Sequence, residues 1–204
     1  MKDKIVQKAT DLFLKLGFKS VTMDDIANEM AISKKTIYAH FKNKTALVKE
    51  CTCTALQNIT SGIDEICSLN QNPIEELFEI KKFVMGKIES DDSSPQYQLQ
   101  KYYPEISEGL KESHFEKMME CTRKNLRKGI DQGLYRANLD IDFIARLYFL
   151  GIHGTKDLSL FPLDRFPTKF VTEEYLEYHL RGIVTNEGFL TLKKFIKDHQ
   201  TNDQ

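Results

Sequence analysis

Thr22 and Ser33 each open the residue pattern that starts a helix, and they stand too close together for anything but one short helix and a tight turn between them. Thr22 offers an N-cap with Asp25 three residues on, a capping-box arrangement, while Val21 and Ile26 occupy the two positions of a hydrophobic staple. Ser33 repeats the signal with Ile32 and Ile37 as its staple. Helices are therefore expected from Met23 and from Lys34. Upstream, Ile5, Ala9, Leu12, Phe13 and Leu16 fall on one helical stripe, and Gly17 follows where a helix needs a left-handed terminating residue.

Two short helices joined by such a turn make a helix-turn-helix, whose second helix can enter the DNA major groove with its N-terminal residues at the base edges. Ile37 and Phe41, four apart, can face a core, which turns Lys34, Lys35, Tyr38 and His40 outward. Basic and aromatic donors there suit phosphate and base-edge contacts. Charge is distributed accordingly. The first 50 residues carry ten Lys against six acids, whereas the rest carry 19 bases against 24 acids, within a net charge of -1. One end of the chain is suited to a polyanion.

The run Thr22-Met-Asp-Asp-Ile-Ala, then Ile32-Ser-Lys-Lys-Thr-Ile-Tyr-Ala-His-Phe41, then Lys44-Thr-Ala-Leu47, strongly resembles the DNA-binding domain of the TetR family of bacterial transcriptional regulators. The resemblance extends back through Ala9, Leu12-Phe13 and Gly17. It implies phosphate contacts from Thr22, Tyr38 and Lys44, and base or groove contacts from Lys34, Lys35, Thr36 and His40. Thr22 and Ser33 are caps whatever the function, and Ile26, Ile37 and Phe41 are core. Lys44 lies in the first turn of a helix that Asn43 can cap, and a helix N-terminus bearing a cation is a good phosphate site.

Two departures matter. The turn often carries glycine in this family, where this chain has Met30-Ala31-Ile32; a positive φ at Ala31 costs roughly 1 kcal/mol. The first 122 residues also contain no Arg, which removes the bidentate Arg-to-guanine contact from this domain and predicts an A/T-rich operator.

Sparse Gly and Pro and apolar residues at helical spacing predict an all-α chain throughout. A fourth helix of about 25 residues is expected up to Cys67, starting beside DNA and ending in another domain. Asn72 caps a fifth, with Pro73 first and Ile88 inside; Ser90 to Ser94 reads as a loop. Pro95 to Tyr103 and Pro104 to Gly133 give the sixth and seventh. Asp140 caps an eighth, Thr172 a ninth after a loop from Ser159 to Phe170, and a last helix runs from about Asn186 to His199. The expected division is a helix-turn-helix DNA-binding domain over 1–46 and a helical effector-binding and dimerisation domain over 47–204.

The resemblance implies a homodimer whose penultimate helices pack as a four-helix interface, with Ile144, Leu147, Tyr148, Gly151, Ile152, Leu176, Leu180 and Ile183 as candidates. Filling the monomer core is the alternative for each of them. It also implies a pocket for an unidentified small-molecule effector. Met85, Tyr102, Tyr103, His114, Met118, Tyr148 and His153 mix apolar bulk with polar tips and are candidates; such stripes also serve as plain core.

Other chemistry finds little footing. Cys51, Cys53, Cys67 and Cys121 follow no zinc-like spacing, so four free thiols in a cytoplasmic protein are expected, with no metal and no cofactor. The longest apolar stretch, Ile141 to Ile152, is interrupted by Asp142 and Arg146, so no membrane span is expected. No nucleotide-binding or nucleophile motif stands between a strand and a helix, so an enzyme is not expected. The leading expectation is a repressor that a small effector releases from a double-stranded DNA operator. The alternatives are an architectural or division-related DNA-binding protein whose C-terminal domain meets a protein, and a helical ligand carrier.

Overall fold

The computed structural model of the chain describes residues 1–87 and 94–200. Ile88 and the expected loop from Ser90 lie outside the described residues, except that Ser94 already begins a helix. The described residues form ten helices: α1 (Lys2–Leu16), α2 (Met23–Glu29), α3 (Lys34–Tyr38), α4 (Lys44–Ser68), α5 (Pro73–Lys87), α6 (Ser94–Tyr102), α7 (Pro104–Asp131), α8 (Ile141–Gly154), α9 (Thr168–Ile183) and α10 (Asn186–Gln200). An isolated antiparallel bridge, Tyr135 to Val184, is the β pairing among them. No helix of the described residues is long and apolar enough to cross a membrane.

The chain divides into two compact units, and both α4 and α7 supply residues to each. The first comprises Met1–Ser61 and the described part of Asp92–His114. Its core is the inner face of the first four helices, with Ile5, Ala9, Phe13, Ile26, Ile37, Leu47 and Val48 fully or almost fully buried. α6 and the start of α7 close this core through Leu99, Tyr103, Ile106 and Leu110. Gly17 has φ 88, and Gln98 lies over it, accepting a hydrogen bond from the Lys19 backbone at 3.0 Å. A side chain at position 17 would strike Gln98 as well as strain the backbone.

The second unit, Gly62–Asp91 with Phe115–Gln204, packs α5, α8, α9 and α10 around the later turns of α7. Its core includes Ile74, Leu77, Met119, Leu126, Tyr135, Ala145, Leu176, Leu180 and Leu192. A buried polar chain runs through it. Asn125 donates to the Pro73 carbonyl at 2.9 Å and to Glu76 at 2.7 Å, Lys128 donates to the other Glu76 oxygen at 2.9 Å, and Tyr135 donates to Asn125 at 3.1 Å. Every buried member of this chain has a partner, which is the condition for burying a carboxylate such as Glu76.

Five of the six expected caps, Thr22, Ser33, Asn43, Asn72 and Asp140, start their helices. Asn43 accepts from the Ala46 amide at 2.8 Å, Asn72 from Ile74 at 2.8 Å and Asp140 from Phe143 at 3.0 Å. α9 is the correction. It begins at Thr168 behind Pro167, without a side-chain cap, and Thr172 lies inside its first turns with its hydroxyl on the Thr168 carbonyl at 2.8 Å. Proline supplies the required extended residue by its fixed φ, so a helix can start there without a side-chain cap.

Candidate nucleic-acid interface

Thr22 and Asp25 form the full capping box that their spacing predicts. The Thr22 amide and hydroxyl both donate to the Asp25 carboxylate at 2.8 Å, and the Asp25 amide donates back to the Thr22 hydroxyl at 3.2 Å. These bonds, the backbone one first, hold the Asp25 carboxyl below its usual range. The Thr22 hydroxyl is thus already engaged in fixing the start of α2, while the side chain remains exposed.

The turn into α3 is built on Ala31, which has φ 51. Its amide donates to Asn28 and the next amide, Ile32, to Ala27, so the left-handed residue is locked between two hydrogen bonds of 3.1 and 3.0 Å. Ser33 then caps α3 by accepting from the Thr36 amide at 3.1 Å, and the two hydroxyls lie 2.9 Å apart. Ile37, with no exposed surface, pins the inner face. The outer face follows by helical geometry.

On that outer face Lys34, Lys35, Tyr38 and His40 are all exposed, and Thr36 is half-buried beside its cap. The side chains of Lys35, Tyr38 and His40 make no hydrogen bond or ion pair among the described residues, whereas that of Lys34 donates to Asp24 at 2.7 Å. That bond keeps the Lys34 ammonium protonated above its ordinary range. The Asp24 partnership was not legible from spacing, because Asp24 stands on the other helix of the motif. Lys44 is different again. Its ammonium donates to the Lys19 carbonyl at 3.3 Å and lies 5.8 Å from the Phe13 ring centre, and partial burial lowers its pKa. It fastens the first turn of α4 to the segment between α1 and α2 and still presents donors beside a helix N-terminus.

The seven candidate pocket residues divide between the two units. Tyr102, Tyr103 and His114 belong to the first unit, and Met85, Met118, Tyr148 and His153 to the second. Tyr103 packs its ring against Phe18 at 6.4 Å, and Tyr102 is exposed beneath the Lys19 ammonium. Tyr148 is buried in the second core against Tyr175 and His179, and His153 lies over Phe149 with its Nδ1 3.0 Å from the Phe149 carbonyl. Two cavities of the second unit are lined by other residues. One of about 300 Å³ is bounded by Thr155, Phe161, Phe166, Phe170, Val171, Glu174, Tyr175 and Tyr178. The other, of about 160 Å³, is polar and lies between α4, α5 and α7.

Among the candidate dimer residues, Leu176, Leu180 and Ile183 are buried in the core of their own unit and leave no surface for a partner. Tyr148 is likewise buried, and Ile144 and Ile152 pack partly against the same core. Gly151 admits the Tyr175 ring rather than a second chain: a Cβ there would lie 2.0 Å from it. The Tyr175 hydroxyl donates to the carbonyls of Leu147 and Tyr148, each at 3.2 Å. Leu147 alone of the eight is exposed, and beside it on α8 stand exposed Phe143 and Leu150, with Phe170 and Tyr178 exposed on α9. The α9 candidates lie on the buried face of that helix, and Phe170 and Tyr178 on its exposed face.

Residues 5–51 match the family model described as bacterial regulatory proteins, tetR family. Over 198 residues, 92% of each chain, the protein is 26% identical to the HTH-type transcriptional repressor KstR2 of Mycolicibacterium smegmatis. It is 33% identical over 72 residues, 35% of this chain and 37% of the relative, to IcaR of Staphylococcus aureus, a negative transcriptional regulator of the biofilm operon icaADBC. In fold it is similar to SmeT, the repressor of the Stenotrophomonas maltophilia multidrug efflux pump SmeDEF, with a TM-score of 0.70, 16% identity and 91% of each chain covered. With the capped helix-turn-helix in the same residues as the family match, residues 5–51 are a DNA-binding domain of the tetR family type, and the chain is a DNA-binding regulator of transcription.

Proposed function

We propose that the protein is a homodimeric repressor that occupies a two-fold operator and leaves it when a small effector binds. Residues 1–46 read DNA and 47–204 hold the effector and the partner subunit. The observation that carries this reading is the exposed face of α3, where Lys34, Lys35 and Tyr38 stand on a helix fixed from behind by buried Ile37 and in front by the Ser33 cap, with His40 exposed in the turn just past its end. Rigid presentation of donors is what groove reading requires. Thr22, Thr36 and Lys44 flank them as phosphate and groove contacts.

A dimer supplies the second recognition helix, placed about 34 Å from the first so that both meet one face of the duplex. Phe143, Leu147 and Leu150 recur at helical spacing on α8, and with Tyr178 of α9 they supply an apolar face for the partner. The aromatic cavity of about 300 Å³ is of a size for a small apolar effector, with Glu174 as its charged lining residue. To move the protein from mostly bound to mostly released, the effector must prefer the released state by roughly 5 kcal/mol.

Sedimentation velocity with Leu150→Asp tests the assembly together with operator titration. The expected result is a wild-type dimer, and a folded monomeric variant whose operator affinity falls at least tenfold. A variant that stays dimeric, or a monomer that binds as well as wild type, overturns the reading.

A further inference from the structure

Of the four cysteines, two share one site. Cys67, in the last turn of α4, and Cys121, in the middle of α7, both line the polar cavity of about 160 Å³, with Asp64, Asn70, Glu76, Lys124 and Lys128. Both are partly buried, and the two thiols lie within hydrogen-bonding reach of each other. Lys117 stands against the pair, with its ammonium 2.8 Å from Asp64. We propose that Cys67 and Cys121 are a thiol redox site, which hydrogen peroxide converts into an intrachain disulfide joining the end of α4 to α7.

The two sulfurs have unequal roles. The hydrogen bond from Cys67, followed by the Lys117 charge, lowers the Cys121 pKa against an opposing push from partial burial, Asp64 and Glu120. The same hydrogen bond and burial raise that of Cys67. Cys121 is therefore the thiolate that attacks, and Cys67 keeps its proton until the second step. In the first step the Cys121 thiolate attacks one peroxide oxygen and the O–O bond breaks. The leaving hydroxide takes a proton and departs as water, and the sulfur becomes a sulfenic acid. In the second step the Cys67 sulfur displaces the sulfenic oxygen, which leaves as water with the Cys67 proton. Two thiols are oxidised to one disulfide and the peroxide is reduced to water.

Cys51 marks the contrast. It is buried, donates to the Val6 carbonyl at 3.5 Å and is pushed up to about 11, so it stays a thiol. The disulfide fixes the C-terminal end of the helix whose first residue is Lys44. A consequence for operator affinity rests on the DNA-binding reading above; the thiol chemistry does not.

The full-length protein, reduced and then treated with hydrogen peroxide, tests this. The expected result is a fall from four free thiols to two, a Cys67–Cys121 linked peptide, and recovery with dithiothreitol. Cys67→Ser leaves a sulfenic acid on Cys121 that dimedone traps, and Cys121→Ser keeps its three remaining thiols at the same dose. Absence of the linked peptide, or oxidation of Cys121→Ser at the wild-type rate, overturns the site. On the same samples the oxidised wild type shifts its operator Kd at least fivefold from the reduced protein, and Cys67→Ser does not. A proven disulfide with unchanged Kd overturns the coupling to DNA. A reduced protein that binds no operator overturns the repressor reading and leaves the thiol result standing.

Discussion

Lys34, the first residue of α3, donates to Asp24 in the first turn of α2 at 2.7 Å, so the foremost cation of the DNA-facing helix is held by a carboxylate of its neighbour. Both side chains are exposed and the pair opens readily to a competing anion. Asp24→Asn is expected to raise operator affinity, because the ammonium then meets DNA without leaving a partner and one negative charge is removed from the interface. Lys34→Ala lowers affinity and reduces the log-log salt slope by about one for each protomer that contacts a phosphate through it. Fluorescence anisotropy titrations at several salt concentrations check both; a steeper slope for Lys34→Ala contradicts the assignment.

Ala31 carries a Cβ at φ 51, where an L residue is disfavoured by about 1–2 kcal/mol and glycine is not. Greater freedom of glycine in the unfolded chain returns part of that. Ala31→Gly is expected to stabilise the protein by about 0.5–1 kcal/mol, and Ala31→Val to destabilise it by more than 1 kcal/mol. Urea midpoints measure both, and a glycine variant less stable than wild type contradicts the strain.

At Gly151 the Tyr175 ring of α9 lies where a side chain of α8 would stand, 2.0 Å from the position of a Cβ. The ring cannot retreat freely, because its hydroxyl is held by two α8 carbonyls and its face stacks on Tyr148 at 6.0 Å. Gly151→Ala is therefore expected to cost about 1–3 kcal/mol as overpacking. In a Tyr175→Ala background the same change is close to neutral, and a double-mutant cycle by thermal unfolding reads the difference.

His179 is buried against Tyr148, and loss of solvation by that burial pushes its pKa down to about 4. An unfolded histidine takes its proton near 6.5, so between these values the unfolded state binds a proton that the native state refuses. Stability from this group is full above about pH 6.5 and falls as pH drops towards 4, by about 2 kcal/mol between pH 7.5 and pH 5. Urea unfolding of wild type and His179→Gln at both values checks it: the variant loses correspondingly less on acidification.

The motif was legible because its signals are local. Thr22 with Asp25, Ser33 with Thr36, and Gly17 act within four residues of themselves, and each boundary they mark is where a helix begins or ends. Proline at 167 hid the start of α9, since a fixed φ leaves no hydroxyl to read. The two faces of α9 were not separable by spacing. Phe170 and Tyr178 on one side and Leu176 and Leu180 on the other are all apolar, and only packing against Ile74, Tyr135 and Tyr148 decides which turns in. The buried Asn125–Glu76–Lys128 chain and the Cys67–Cys121 pair join residues about fifty apart in sequence, where periodicity carries no information.

The operator itself tests the central claim most directly. Purified protein selected against a randomised duplex pool is expected to enrich an A/T-rich inverted repeat with half-sites about one helical turn apart. Titration of that site is expected to give a log-log salt slope of roughly -6 to -10. Binding that is weak and equal for all sequences contradicts the account.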